Sequence, residues 1–342
     1  LKDSRGSFFA SMLALAVLAA CATGAPGSSS PVATGQRTTQ AANPIILDRF
    51  TADPAPLVVG DTLYLYVGQD DADDEQMFNI VDWRVYSTRD MQTWTDHGPI
   101  MKPTDFSWAI RDAWASEVVE KDGRFWFYTA VEHDESDMGK AIGVAVSDTP
   151  TGPFVDARGS ALVSNSMTDG PHWWDDIDPT AFIDDDGTPW LLWGNANCYI
   201  ARLKQNMIEF DSEIGTIELP HFVEGPWLFK REELYYLLYA GIDESESENE
   251  QVYYATAESV AGPYKFRGKI MGEAERSFTI HPGVEYFNGN WYFFYHNSAH
   301  DIGDREGKLG RRSVRAEHMI FEDDGSIRPM VATAAGVSVP RP

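Results

Sequence analysis

One short pattern recurs five times along this chain, and it constrains the fold more than any other feature. Its first copy runs from Asp53 to Tyr66: an acidic residue, a proline, a few apolar residues, a turn, then the aromatic run Leu63-Tyr64-Leu65-Tyr66. A shift of 171 brings Glu224 to the head of a copy ending Leu234-Tyr235-Tyr236-Leu237, and a shift of 228 brings His281 to one ending Trp291-Tyr292-Phe293-Phe294. A copy headed by Asp178 carries one extra turn residue (Asp184-Asp185-Asp186-Gly187) before Trp190-Leu191-Leu192-Trp193. The remaining copy, Trp114-Ala115-Ser116-Glu117, reaches Phe125-Trp126-Phe127-Tyr128 after Asp122-Gly123. Three copies thus present Asp or Glu, and one presents His, at the same relative place.

Each aromatic run has the length and composition of a strand and follows Gly, Asp or Asn turn residues, so each copy reads as a hairpin. The turn at Asp184–Gly187 is not a calcium loop, because the EF-hand spacing would need an oxygen ligand at Phe182 and a Glu at Trp193. Further strands follow each hairpin: Val85–Thr88 then Trp94, Val144–Ser147 then Gly152-Pro153-Phe154, Tyr254–Ala257 then Gly262-Pro263-Tyr264. Looser versions lie at Ile200–Leu203 and Arg312–Arg315. Two hairpins make a four-stranded unit, and a repeat of roughly 45 to 65 residues with variable loops fits a propeller blade. No segment outside the leader sustains a helical period. The expected fold is all-β, a five-bladed β-propeller occupying residues 43–342 as one domain.

Residues 1–21 are expected to be a lipoprotein-type signal segment. Lys2 and Arg5 precede an apolar run from Phe8 to Ala20, too short for a mature membrane span, and Leu18-Ala19-Ala20-Cys21 resembles a lipobox. Lipidation of Cys21 and ordinary cleavage beside it are both compatible with the pattern. Residues 22–42, rich in Gly, Ser, Thr, Pro and Gln, read as a flexible linker. Export follows from this reading, to the cell envelope through a lipid on Cys21 or into the medium, with the lipid as the only membrane contact. Cys198 is expected to be a small buried apolar residue. The formal net charge of −26 repels phosphate backbones, which excludes nucleic acid as a partner and suits a neutral ligand or a cation. The acidic run Asp243–Glu250 is expected to be a solvated loop.

In a propeller the first strand of every blade lines the central channel. Asp53, Asp178, Glu224 and His281 should therefore converge at one mouth, with Trp114–Glu117 supplying the second blade's share. Carboxylates crowded together push their pKa values apart, so that one can stay protonated while another is ionised, the division that glycoside hydrolysis needs. Trp83, Trp108, Trp114, Trp173, Trp174 and Trp227 could each offer a sugar a flat face or pack a blade; Trp114 is the preferred candidate.

The stretches Ala52-Asp53-Pro54-Ala55-Pro56, Asp112–Glu117, Asp176-Ile177-Asp178-Pro179-Thr180, Val223-Glu224-Gly225-Pro226-Trp227 and Ile280-His281-Pro282-Gly283 together resemble glycoside hydrolase family 43 over most of residues 43–337. Gly139–Ala145 and Gly310–Val314 resemble its β-xylosidase and α-L-arabinofuranosidase branch. The resemblance implies an inverting, exo-acting hydrolase of xylan or arabinoxylan oligosaccharides, with Asp53 as general base, Glu224 as general acid and Asp178 tuning that acid. Inversion implies base and acid about 6.5–9.5 Å apart. It further implies a channel histidine, His281, that either ligates calcium or stands unliganded, and a substrate contact from Arg312. No organic cofactor is expected. An arabinan-directed arabinofuranosidase and a non-catalytic sugar-binding propeller are the alternatives, and a retaining invertase-like enzyme is disfavoured by the lack of its Asn-Asp-Pro-Asn and Arg-Asp-Pro motifs.

Overall fold

The computed structural model describes residues 42–338 and the backbone of Arg37–Thr39; the expected leader and most of the expected linker lie outside the described residues. Five antiparallel sheets follow one another along the chain. The first contains β1 (Arg37–Thr39), β2 (Thr51–Val59), β3 (Thr62–Asp70), β4 (Ile80–Thr88) and β5 (Thr93–Met101), in the order β1-β5-β4-β3-β2. The second contains β6 (Ala109–Arg111), β7 (Ser116–Lys121), β8 (Arg124–His133), β9 (Lys140–Ser147), β10 (Val155–Asp156) and β11 (Val163–Ser164). Two four-stranded sheets follow, β12 (Thr180–Ile183) to β15 (Gly215–Ile217), and β16 (Phe222–Arg231) to β19 (Lys265–Met271). The last has three strands, β20 (Gly283–Phe287), β21 (Asn290–Asn297) and β22 (Ser313–Met319). The fold is the expected five-bladed β-propeller.

The aromatic runs form the second strand of each blade, and their burial shows why the pattern recurs. Leu63, Leu65, Tyr66, Phe127, Tyr128, Leu191, Trp193, Leu237 and Phe293 are all fully buried. Second strands have a neighbouring strand on each side and a blade against each face, so both faces take apolar side chains. Contacts such as Trp83 to Phe127, with ring centroids 5.2 Å apart and nearly perpendicular, join adjacent blades. Trp83, Trp108 and Trp227 are core residues of this kind and offer no face to a sugar; of the tryptophans proposed from sequence, Trp173 is the well-exposed one. Cys198 is buried among apolar neighbours, as expected.

The three-stranded fifth blade is completed by the start of the described chain. Ile45 N–H donates to Val314 O, and the Asn43 side chain accepts from Ala316 N–H while donating to Ala316 O, Glu317 Oε1 and Thr333 O. Residues 43–45 therefore run beside β22 and close the ring.

The inner strands carry the feature that builds the site. In β2 the pairing with β3 skips between Ala52 and Ala55, and in β16 the pairing with β17 (Leu234–Gly241) skips between Glu224 and Trp227. These are β-bulges, which re-aim side chains at the rim of a sheet. Asp53 and Asp178 hold the left-handed conformation (φ 55 for both), each followed by proline, and the corresponding residue in the fourth blade is Gly225 (φ 60). The register corrects one expectation: Glu224 matches Ala52, not Asp53, because the true offset between the blades is one residue larger than the aromatic runs suggest. By the same register Trp114, whose N–H donates to Ala130 O, shares Glu224's place.

Candidate active site

Asp53 is buried, and its backbone N–H donates to His296 Nδ1 at 3.2 Å. His296 Nε2 lies 3.2 Å from Thr279 O and 3.1 Å from Thr279 Oγ1. An accepting Nδ1 and a donating Nε2 assign one neutral tautomer, and burial lowers the imidazole's pKa accordingly. The Asp53 carboxylate is 3.5 Å from Arg312 Nη1. Burial alone would favour its neutral form, but the Arg312 charge overcomes this and holds Asp53 well below the usual carboxylate range.

Arg312 is itself fixed on several sides. Its Nε donates to Asp70 Oδ2 at 2.8 Å, its backbone N–H to the same oxygen at 2.9 Å, and its Nη1 to Thr279 Oγ1 at 3.3 Å. The guanidinium lies 5.0 Å over the Phe78 ring.

Asp178 Oδ2 accepts the Gly225 N–H at 2.9 Å and lies 3.8 Å from His281 Nδ1. Glu224 Oε2 accepts from Asn195 Nδ2 at 2.8 Å. Both carboxyls are raised above their ordinary range, first by burial, and Asp178 next by the neighbouring Glu224. Among the described residues neither forms an ion pair with an arginine or a lysine. A Cβ on Gly225 would sit 3.2 Å from His281 Nδ1, so the bulge, Asp178 and His281 are packed against one another. The His281 imidazole is driven down to about 4 by burial and is neutral at neutral pH.

The structure thus brings Asp53, Asp178, Glu224, His281 and Arg312 into one network, buried except at the half-buried Glu224. Trp114 stands at its second-blade edge, with the Lys140 ammonium 3.7 Å from its ring centroid and Phe78 packed edge-on at 5.9 Å. Lys140 is fully buried and paired with Asp112 and Glu132.

Several members of the network escaped the sequence reading. Asp70, Asn195 and His296 are polar residues within two positions of the ends of the aromatic second strands of three blades. That position was a readable signal. Glu250 had none, because it ends the acidic run expected to be solvated. Glu244 and Glu246 of that run are exposed, whereas Glu250 is 1% exposed and contacts the network.

A carboxylate held low by an arginine, near carboxyls raised by burial, among the inner strands of a five-bladed propeller, is the pairing of unlike carboxyls that a glycosidase needs. A model of the glycosyl hydrolases family 43 matches residues 41–327, and the chain belongs to that family. A xylosidase/arabinosidase of Bacteroides ovatus is 29% identical over 323 residues, spanning 81% of this chain and 94% of that protein. An arabinoxylan arabinofuranohydrolase of Paenibacillus polymyxa is 28% identical over 341 residues, spanning 86% of this chain and 52% of that one. Among solved structures, a family 43 β-xylosidase/α-arabinofuranosidase from a compost microbial metagenome, in complex with xylotriose and calcium-free, shares 25% identity with a TM-score of 0.74 over 86% of this chain and 99% of that chain.

Proposed function

We propose that this glycosidase removes terminal β-1,4-xylosyl or α-L-arabinofuranosyl units from xylan or arabinoxylan oligosaccharides, in one displacement with inversion. Asp53 takes a proton from water as the water oxygen bonds to the anomeric carbon. Glu224 gives its proton to the glycosidic oxygen as the bond to that carbon breaks. Asp178 orients Glu224 by anchoring the bulge through the Gly225 N–H, while burial and the Asp53 charge keep Glu224 protonated. The observation that carries this reading is the opposite surroundings of Asp53 and Glu224: a cation at one, burial without a cation at the other. The pentose assignment draws its support from the relatives' names and from the xylotriose bound to one of them.

In this reading Arg312 acts first on Asp53, fixing its charge and direction, and Trp114 offers substrate a ring already backed by the Lys140 ammonium. A calcium ion fits only as a largely hydrated guest. His281 supplies one neutral nitrogen, and among the described residues no group of three or more His, Cys, Asp or Glu could cage a metal. When bound, the ion would add positive charge on the axis. The leader pattern ending at Cys21 supports export and a lipid anchor, which a Cys21→Ala chain found free of the membrane fraction would bear out.

The test is a pair of assays, on aryl β-xyloside and aryl α-arabinofuranoside, with and without chelator, following the anomer first formed. Inverted product is expected, and retained configuration would overturn the mechanism. Asp53→Asn should lower kcat by at least about a thousandfold without unfolding the protein.

A further inference from the structure

Glu250 is the one buried carboxyl at the site that this mechanism leaves without a task. It precedes β18 (Gln251–Ala257), and its backbone N–H donates to Phe278 O. Its Oε2 accepts the Ile280 N–H at 2.9 Å, so the loop that carries Thr279 and His281 is tied to it at two points. Its Oε1 is buried and has no hydrogen-bond partner. The charged side chains of the network, Arg312 included, are committed elsewhere, yet Glu250 and Glu224 interact side chain to side chain. A buried carboxyl without a cation and with one orphan oxygen is costly unless that oxygen carries a proton and has somewhere to give it. The neighbouring acceptor is Glu224, whose Oε2 is already held by Asn195.

We propose that Glu250 is a neutral carboxylic acid that positions the general acid, donating a hydrogen bond from Oε1 to the Glu224 carboxyl. Asn195 and Glu250 then grip Glu224 together. As Glu224 loses its proton to the departing oxygen, the same two donors receive the new carboxylate, so the charge created in the step lands in a site already shaped for it. Burial and the adjacent Glu224 both keep the Glu250 proton in place. This inference rests on the assignment of Glu224 as the general acid.

The experiment compares two glycosides of the preferred pentose, one with a 2,4-dinitrophenol leaving group that departs without protonation and one with an alkyl alcohol that cannot. Glu250→Met removes the donor while keeping bulk in a buried place, and Glu250→Gln keeps a neutral donor. Glu250→Met is expected to lower kcat on the alkyl glycoside by about 10- to 100-fold and on the dinitrophenyl glycoside by less than about threefold, with KM within about threefold on both. Glu250→Gln should stay within about threefold of the native enzyme on both. Equal losses on the two substrates in Glu250→Met, or an alkyl-glycoside loss in Glu250→Gln beyond about tenfold, would overturn the proposal. If Glu250→Met does not fold, the Glu250→Gln pair of rates decides alone. Glu224→Ala run beside them separates the two levels: should its loss be independent of leaving group, the general-acid assignment itself falls and this one with it.

Discussion

Asp53 is buried and Glu224 half-buried, each within two residues of a proline, and what separates them most is the company. Asp53 has Arg312 at 3.5 Å and is lowered; Glu224 has an amide and other carboxyls and is raised. The reaction needs the first ionised and the second protonated, so the rate should rise through Asp53's pKa and fall through Glu224's. The acid limb of kcat/KM is therefore expected below the ordinary aspartate range, and the basic limb above the ordinary glutamate range. A pH–rate profile measures both, and a basic limb at or below about 4.5 would contradict this division. These residue identities were legible in the sequence because each heads or follows a motif. Their partners were legible only in part: Asp70 and His296 sit where a polar residue ends an apolar run, but nothing in the letters Asn249-Glu250-Gln251 distinguishes a buried carboxyl from the exposed Glu244, Glu246 and Glu248 of the same run. Burial is decided by the loop at Phe278–Ile280 folding back on it.

At the scale of the strand, the inner strands combine a bulged, left-handed upper end with a regular lower end. The bulge hid one register step, since a skipped residue shifts which side chain meets the axis without disturbing the apolar pattern that follows it. Aligning the copies by their aromatic runs therefore found the right acid at the wrong position. Below the bulges, Glu117 on β7 and Glu285 on β20 face the far end of the channel, which is also lined by β2, β12 and β16. Burial pushes Glu117 up to about 8, with Glu285 adding repulsion, while Thr180 and the Ala181 N–H partly offset the rise. A carboxyl raised on folding costs stability once pH exceeds its unfolded value near 4.5, and the cost grows until about pH 8. Linkage sets its ceiling at about 4–5 kcal/mol. Glu117→Gln is expected to gain about 1–4 kcal/mol over the native protein between pH 5 and pH 9, read from urea midpoints at each pH; an equal difference at both values would refute the sign.

For the whole molecule, five blades could be counted in the sequence, but the manner of closing the ring could not, because the closing segment carries no aromatic run and lies at the edge of a stretch read as linker. The Asn43 side chain makes four hydrogen bonds there, across as many as 290 positions of sequence, and a Cβ on Gly336 would come within 2.8 Å of it. Asn43→Ala takes a partner from the Ala316 N–H and C=O and from the Thr333 C=O and should lower stability by about 2–4 kcal/mol, measured by urea unfolding with activity retained below the transition. The same clasp dictates a schedule. Residues 43–45 are among the first of the fold to be synthesised, yet their partners on β22 are among the last, so four blades must wait as an open arc with an unpaired edge at the fifth. Chain-closing of this kind sets a slow final step and leaves the nascent arc exposed to mispairing with a second copy. An arc cut short before Arg312 would carry Asp53, Asp178 and Glu224 but neither that guanidinium nor the β22 edge that closes the ring, so synthesis that stops early makes no half-active hydrolase.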